Sequence, residues 1–187
     1  GFNSGVQALA VLGEVYDNQT LLLLAKEYEK PNGESMGVKY ETKDMGATTY
    51  NVGVISYENG NFEMIVNFRH PENCNPDDVI EKVQRVSPLP VYVMSKMPFL
   101  YYNPETTDFI KELYKVYVEE TGDTVNKPMA IGGGTYAKEA KNTIAFGSCF
   151  PGKIDHIHEI DEKIDLEDFY NSIPIYAHAI YALGNLK

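Results

Sequence analysis

The sequence predicts a mixed chain, α+β in its first hundred residues and α/β after them, and three observations carry that expectation. Up to residue 97 the pattern reads α-β-β-α-β, a split β-α-β sandwich of order β-α-β-β-α-β without its first strand. From residue 101 onward strand-like and helix-like segments alternate, as they do in α/β sheets. The 187 residues, 43% hydrophobic and 23% charged, have the makeup of an ordinary globular protein with ample chain for a core.

Taken in order, Val6, Leu9, Ala10, Leu12 and Gly13 have helical spacing, 21–28 continues as a second helical piece, and Pro31-Asn32-Gly33 ends it. The segment 51–57 reads as a strand, Glu58-Asn59-Gly60-Asn61 as a hairpin turn, and 62–68 as the partner strand. In that partner Phe62, Met64, Val66 and Phe68 share one face and Glu63 and Asn67 the other, so one face is buried. Asn75 followed by Pro76 starts a helix whose stripe is Val79, Ile80, Val83 and Val86, stopped at Ser87-Pro88. A further strand is expected over 90–97.

The missing first strand, together with a start at Gly1 rather than methionine, gives the expectation that the sequence begins partway through a domain and leaves a sheet edge open. In the second part, Asn103-Pro104-Glu105 is expected to start a helix carrying Phe109, Ile110, Leu113, Tyr114 and Tyr117, closed by Gly122. Short strands are expected over 128–131 and 143–146. Asp165 and Asp168 form a capping pair for a last helix that holds Pro174, expected to kink it, and ends before Gly184.

Composition narrows the function. The net charge of −11, with only two arginines (Arg69 and Arg85) among sixteen basic residues, argues against nucleic acid, which needs a basic stripe. No apolar run approaches the roughly 20 residues of a membrane span, and no basic n-region suggests a signal peptide. Cys74 and Cys149 are too few and too distant for a disulfide framework, so reduced thiols and a cytoplasmic location are expected.

Two clusters carry candidate chemistry. Ala130-Ile131-Gly132-Gly133-Gly134-Thr135-Tyr136-Ala137 contains three glycines in a row, which pack nothing and carry the largest backbone entropy cost. Its N–H groups with the Thr135 hydroxyl suit a carboxylate, and it lacks both the Walker A and the Rossmann spacing. A tight turn with glycines at left-handed angles accounts for the same run. In Asp155-His156-Ile157-His158-Glu159, two of the four histidines sit among carboxylates. Zinc binding and a solvated surface loop both fit, because no H-E-x-x-H or C-x-x-C pattern accompanies them. Arg69, at the end of a hydrophobic strand, is either a carboxylate fork or an ordinary exposed arginine. His178 reads as a packed or surface histidine, and Glu119-Glu120 as a solvated face.

Five stretches together resemble the dinuclear-zinc aminoacylase/carboxypeptidase superfamily, specifically the PepV-type dipeptidases (Xaa-His dipeptidases, carnosinase-like). They are Asn67-Phe68-Arg69-His70-Pro71, the Ala130–Ala137 run, Ala145-Phe146-Gly147, His158-Glu159-Ile160-Asp161-Glu162, and Ile175-Tyr176-Ala177-His178-Ala179-Ile180-Tyr181. The resemblance implies that 1–100 is an incomplete ferredoxin-like lid domain of the dimerisation type and 101–187 the closing segment of a zinc-peptidase catalytic domain. It makes His158 a zinc ligand, Arg69 the lid arginine that grips the substrate carboxylate, and Gly133, Gly134 and Thr135 the lining of the carboxylate pocket. The H-x-D ligand motif, the Glu-Glu pair with the general base, and the lid histidine would all lie upstream, so no catalytic base is assigned here. The implied parent hydrolyses dipeptides with two zinc ions that this chain does not retain, and the chain alone is expected to be inactive. Two other readings stay open: a self-contained α+β binding or oligomerisation module, homodimeric through the open sheet edge, and a related zinc amino-acid deacylase. The extended Gly-Thr stretch favours the dipeptidase.

Overall fold

A computed structural model describes residues 3–147, 149–154 and 156–186; Gly1 and Asp155, both part of the expectations above, lie outside them. The chain forms two compact units, Gly1–Met97 and Pro98–Lys187.

The first unit begins with helices α1 (Ser4–Val15) and α2 (Gln19–Glu27). Each starts at an asparagine: Asn3 accepts from the Val6 N–H and Asn18 from the Leu21 N–H, both at 3.2 Å, satisfying N–H groups that a helix start leaves unpaired. The two helices meet closely at Gly13, where an added Cβ would lie 2.8 Å from the Leu22 side chain and 3.1 Å from its backbone nitrogen. Next come two-residue strands β1 (Glu41–Thr42) and β2 (Gly46–Ala47), which the sequence pattern did not announce.

The main hairpin pairs β3 (Thr49–Glu58) with β4 (Asn61–Arg69) antiparallel. Its Asn59-Gly60 turn has positive φ at both residues, 51° and 84°, the pairing that matches the twist of the flanking strands. The register slips between Val52 and Val54, so Gly53 is extra on β3. The slip changes parity: Tyr50 and Val52 before it, and Ile55 and Tyr57 after it, oppose Phe68, Val66, Met64 and Phe62. Helix α3 (Pro76–Val86) starts at Asn75 and turns Val79 and Val83 inward, leaving Val86 exposed. Val6, Leu9, Leu24, Val38, Val52 and Val79 lie in one core, with Tyr50 stacked on Phe68 at 4.8 Å.

The strand expected over 90–97 is an unpaired segment that follows α3, held by the Gln84 side-chain amide donating to the Val91 carbonyl (3.2 Å) and by an ion pair of Lys96 with Asp77. A strand exists only with a neighbouring edge about 4.8 Å away, and the main sheet among the described residues contains β3 and β4 alone.

In the second unit, helix α4 spans Asp108–Thr121 and α5 spans Leu166–Gly184. Helix α4 starts later than the Asn103-Pro104-Glu105 signal, because the Asn103 side chain closes a turn by accepting from the Glu105 N–H at 2.8 Å. Gly122 ends it at φ 72°, donating to the Val118 carbonyl. Beyond it, Asp123 accepts from the Tyr117 hydroxyl, the Asn126 side chain and the backbone N–H groups of Val125 and Asn126. These bonds, the Tyr117 hydroxyl's first, hold its carboxyl well below the usual range. Asp165 sits at the α5 N-cap without a side-chain capping bond; Lys153 instead lies 3.9 Å from its carboxylate and 3.4 Å from that of Asp168. The helix runs through Pro174 and includes Gly184. The segments 128–131 and 143–146 form no strands, and among the described residues between the two helices there is only one 3-10 turn, Tyr136–Glu139. Leu113, Val116, Ile175 and Ala179 make the core, flanked by Phe109, Ile144, Phe146 and Phe150.

Candidate functional site

Arg69 closes β4 opposite Thr49, and its exposed side chain donates from Nε to Asn67 Oδ1 at 3.2 Å. Strand alternation puts Asn67 and Arg69 on the face away from Phe68. Phe68 continues its stack onto the His70 ring at 5.4 Å, and His70 Nδ1 lies 3.0 Å from the Pro71 carbonyl oxygen. The Tyr50–Phe68–His70 stack thus fixes the strand end from which the guanidinium projects.

In the second unit, Gly132, Gly133 and Gly134 are exposed, and none has a positive φ. The left-handed-turn account of this run therefore fails. A Cβ on Gly133 would meet only Ile131 Cδ1 at 3.6 Å, an ordinary contact, so neither backbone conformation nor local packing demands glycine there. Thr135 begins the turn Tyr136–Glu139, its Oγ1 accepting from the Ala137 N–H at 3.3 Å. A hydroxyl that accepts in this way still has its own proton to donate.

His158 is exposed, with backbone φ 64°, and its N–H points at Glu162 Oε2 at 3.4 Å. Asp161 is also left-handed, at 61°. Such non-glycine conformations are uncommon and gather at functional turns. His156 differs from His158: its Nδ1 is 2.9 Å from Glu159 Oε2, a local ion-pair geometry. Among the described residues no three His, Cys, Asp or Glu side chains are grouped to hold a metal ion. Zinc takes three or four protein ligands, so the described residues do not complete a zinc site.

The sequence pattern missed one arrangement. His178 on α5 meets both acids of α4, with Nδ1 2.7 Å from Glu120 and Nε2 3.7 Å from Glu119. The acid pair read as a solvated face is half of a bridge between the two helices. Only the parallel positions of Glu119-Glu120 and His178 near the C-terminal halves of an αα pair hinted at it.

No protein-family model matches the chain. Over 98% of its length it is similar to bacterial proteins named "putative dipeptidase". The identity is 32% with one from Staphylococcus haemolyticus, 33% with one from Staphylococcus epidermidis and 31% with one from Staphylococcus aureus strain MW2. The chain spans 40% of the length of each. The likeness runs through both units. No helix among the described residues is long and apolar enough to cross a membrane.

Proposed function

We propose that this chain is the substrate-gripping and metal-contributing portion of a zinc-dependent dipeptidase of the PepV type, and that it has no hydrolytic activity by itself. The observation that carries the reading is the likeness, across 98% of the chain, to proteins named as dipeptidases that are more than twice as long.

In this reading Arg69 binds the C-terminal carboxylate of a dipeptide through its planar fork of N–H donors. Gly133, Gly134 and Thr135 line a carboxylate pocket on the second unit: the glycines admit the ligand to the backbone N–H groups and Thr135 donates its hydroxyl. The room left at Gly133 supports this, since what excludes a side chain there is not the chain's own packing. Both groups position substrate rather than break its bond. His158 is one zinc ligand, and the described residues supply neither the remaining ligands nor a general base. The location proposed is cytoplasmic.

The test assays a panel of dipeptides with zinc, using the purified chain alone and the chain mixed with the part of the Staphylococcus haemolyticus relative that lies outside the aligned stretch. No turnover alone and turnover in the mixture is the expected result. Turnover by the chain alone overturns its assignment as a dependent portion, and cleavage of N-acyl amino acids in preference to dipeptides makes it a deacylase. A second reading, a homodimer through the hairpin, draws on the two outer edges that a two-stranded sheet leaves open. Light scattering decides it: a monomer rules it out.

A further inference from the structure

The polar end of the β3–β4 hairpin is organised around one side-chain bond. Thr49 pairs with Arg69 and Asn51 with Asn67 across the two strands, and directly opposite residues share a face. The register slip lies beyond them, between Val52 and Val54, so these four side chains stand together on the face away from Tyr50 and Phe68. All four are exposed. Asn67 Oδ1 accepts from Arg69 Nε at 3.2 Å, while the side-chain oxygen of its cross-strand neighbour Asn51 accepts from Asn3 Nδ2, also at 3.2 Å. A guanidinium has two kinds of edge that fork a carboxylate, one formed by Nε with an Nη and the other by both Nη atoms. The Asn67 bond occupies Nε, so a bidentate carboxylate is directed to the edge formed by the two Nη atoms.

We infer that Asn67 is a positioning residue for Arg69, holding the guanidinium so that its two Nη atoms take the substrate carboxylate end-on. The inference rests on the reading above in which Arg69 grips the C-terminal carboxylate of a dipeptide. Two features suit Asn67 to this role. Its amide is neutral, so it orients the cation without cancelling the charge that attracts an anion; an aspartate would do the first and undo the second. It is also anchored: Phe68, between Asn67 and Arg69, stacks on Tyr50 at 4.8 Å and on His70 at 5.4 Å, which fixes the backbone from which both side chains project. An arginine side chain in water rotates about several bonds and gives up that freedom when it binds. Tying Nε in advance removes part of this loss and strengthens binding without touching the bond that is broken.

Arg69 and Arg85 are the only arginines, so the Nε region of a nitrogen-15 NMR spectrum holds two signals, and Arg69→Lys assigns them. In the purified chain, exchange of the Arg69 Nε proton with water should quicken about fivefold or more in Asn67→Ala. Arg85, whose Nη2 meets Glu81, is the internal reference and should not change. Asn67→Asp keeps an oxygen in place and should restore the slow rate. In the mixed dipeptide assay, Asn67→Ala should raise KM about tenfold and leave kcat within about twofold, as loss of a binding interaction does. Unchanged exchange in Asn67→Ala, or no restoration in Asn67→Asp, overturns the inference and leaves the proposed function standing. So does an unchanged KM in Asn67→Ala where Arg69→Lys raises it. Absence of turnover in the mixture, or an unaltered KM in Arg69→Lys, removes the role given to Arg69 and overturns both.

Discussion

The two units use their apolar residues in opposite ways. In the first, helices α1, α2 and α3 and one face of the β3–β4 hairpin close around a core in which Leu9, Leu24, Val38 and Val79 are 2% exposed or less. In the second, among the described residues, Leu113, Val116, Ile175 and Ala179 form the buried cluster, while Met129, Ile131, Ile160 and the outer stripe of α5 face outward. Apolar surface is worth roughly 25 cal/mol per Å² when removed from water, so the first unit secures its stability internally and the second leaves much of its potential unused.

That contrast is most directly broken by large-to-small substitutions. Leu24→Ala should destabilise the first unit by about 3 kcal/mol, within the range for a fully enclosed leucine. Ile175→Ala, in the thinner core, should cost nearer 2 kcal/mol because its surroundings collapse more readily. Urea unfolding followed by hydrogen exchange in each unit separates the two, and equal costs would erase the distinction. In the same experiment the amides of α4 and α5 should exchange at lower opening free energy than those of β3 and β4.

Glycines sharpen the comparison. Gly13→Ala forces a methyl group against Leu22 and should cost about 1 kcal/mol net of the better helix propensity of alanine. Gly133→Ala meets no such obstacle and should change stability by less than about 0.5 kcal/mol, while weakening dipeptide turnover in the mixed assay. A Gly133→Ala variant with full turnover would remove the glycine run from the proposed pocket.

Acidity probes the first unit from within. Burial pushes the Glu27 carboxyl up to about 7, and its Oε2 is enclosed without a hydrogen-bond partner. The folded chain therefore binds more protons than the unfolded one from about pH 4.5, the ordinary carboxyl value, to about pH 7. Glu27's contribution is most favourable at the acid end of that window and declines as the pH rises through it. Glu27→Gln should flatten this decline and raise the urea midpoint at pH 8 relative to pH 5. The smallest effect belongs to the bridge between α4 and α5: His178→Ala should cost less than about 1 kcal/mol, as solvent-accessible ion pairs do.

Local signals were largely legible. Asn75-Pro76 marked the start of α3, Asn59-Gly60 the hairpin turn and Gly122 the end of α4, because caps and tight turns depend on a few adjacent residues. The strands expected over 90–97, 128–131 and 143–146 have the right residues and no ladder, because pairing depends on an edge that alternation cannot reveal. Gly53 is similar: the sequence shows a glycine in a strand, and only the register shows that it reverses which side chains face inward. The candidate site divides the same way. Arg69, the glycine run and His158 stood out by residue type and rarity, whereas the meeting of His178 with Glu120, 58 positions apart, belongs to the packing of two helices.

By itself the sequence determined most of the helices, the main hairpin and the acidic character, since these follow from short-range sterics, charge and chemical type. The tertiary structure decided which apolar residues are enclosed, which glycines are needed for packing, and that α5 turns its more apolar stripe outward. Those outcomes depend on which surfaces meet, and periodicity identifies an apolar face without saying what lies against it.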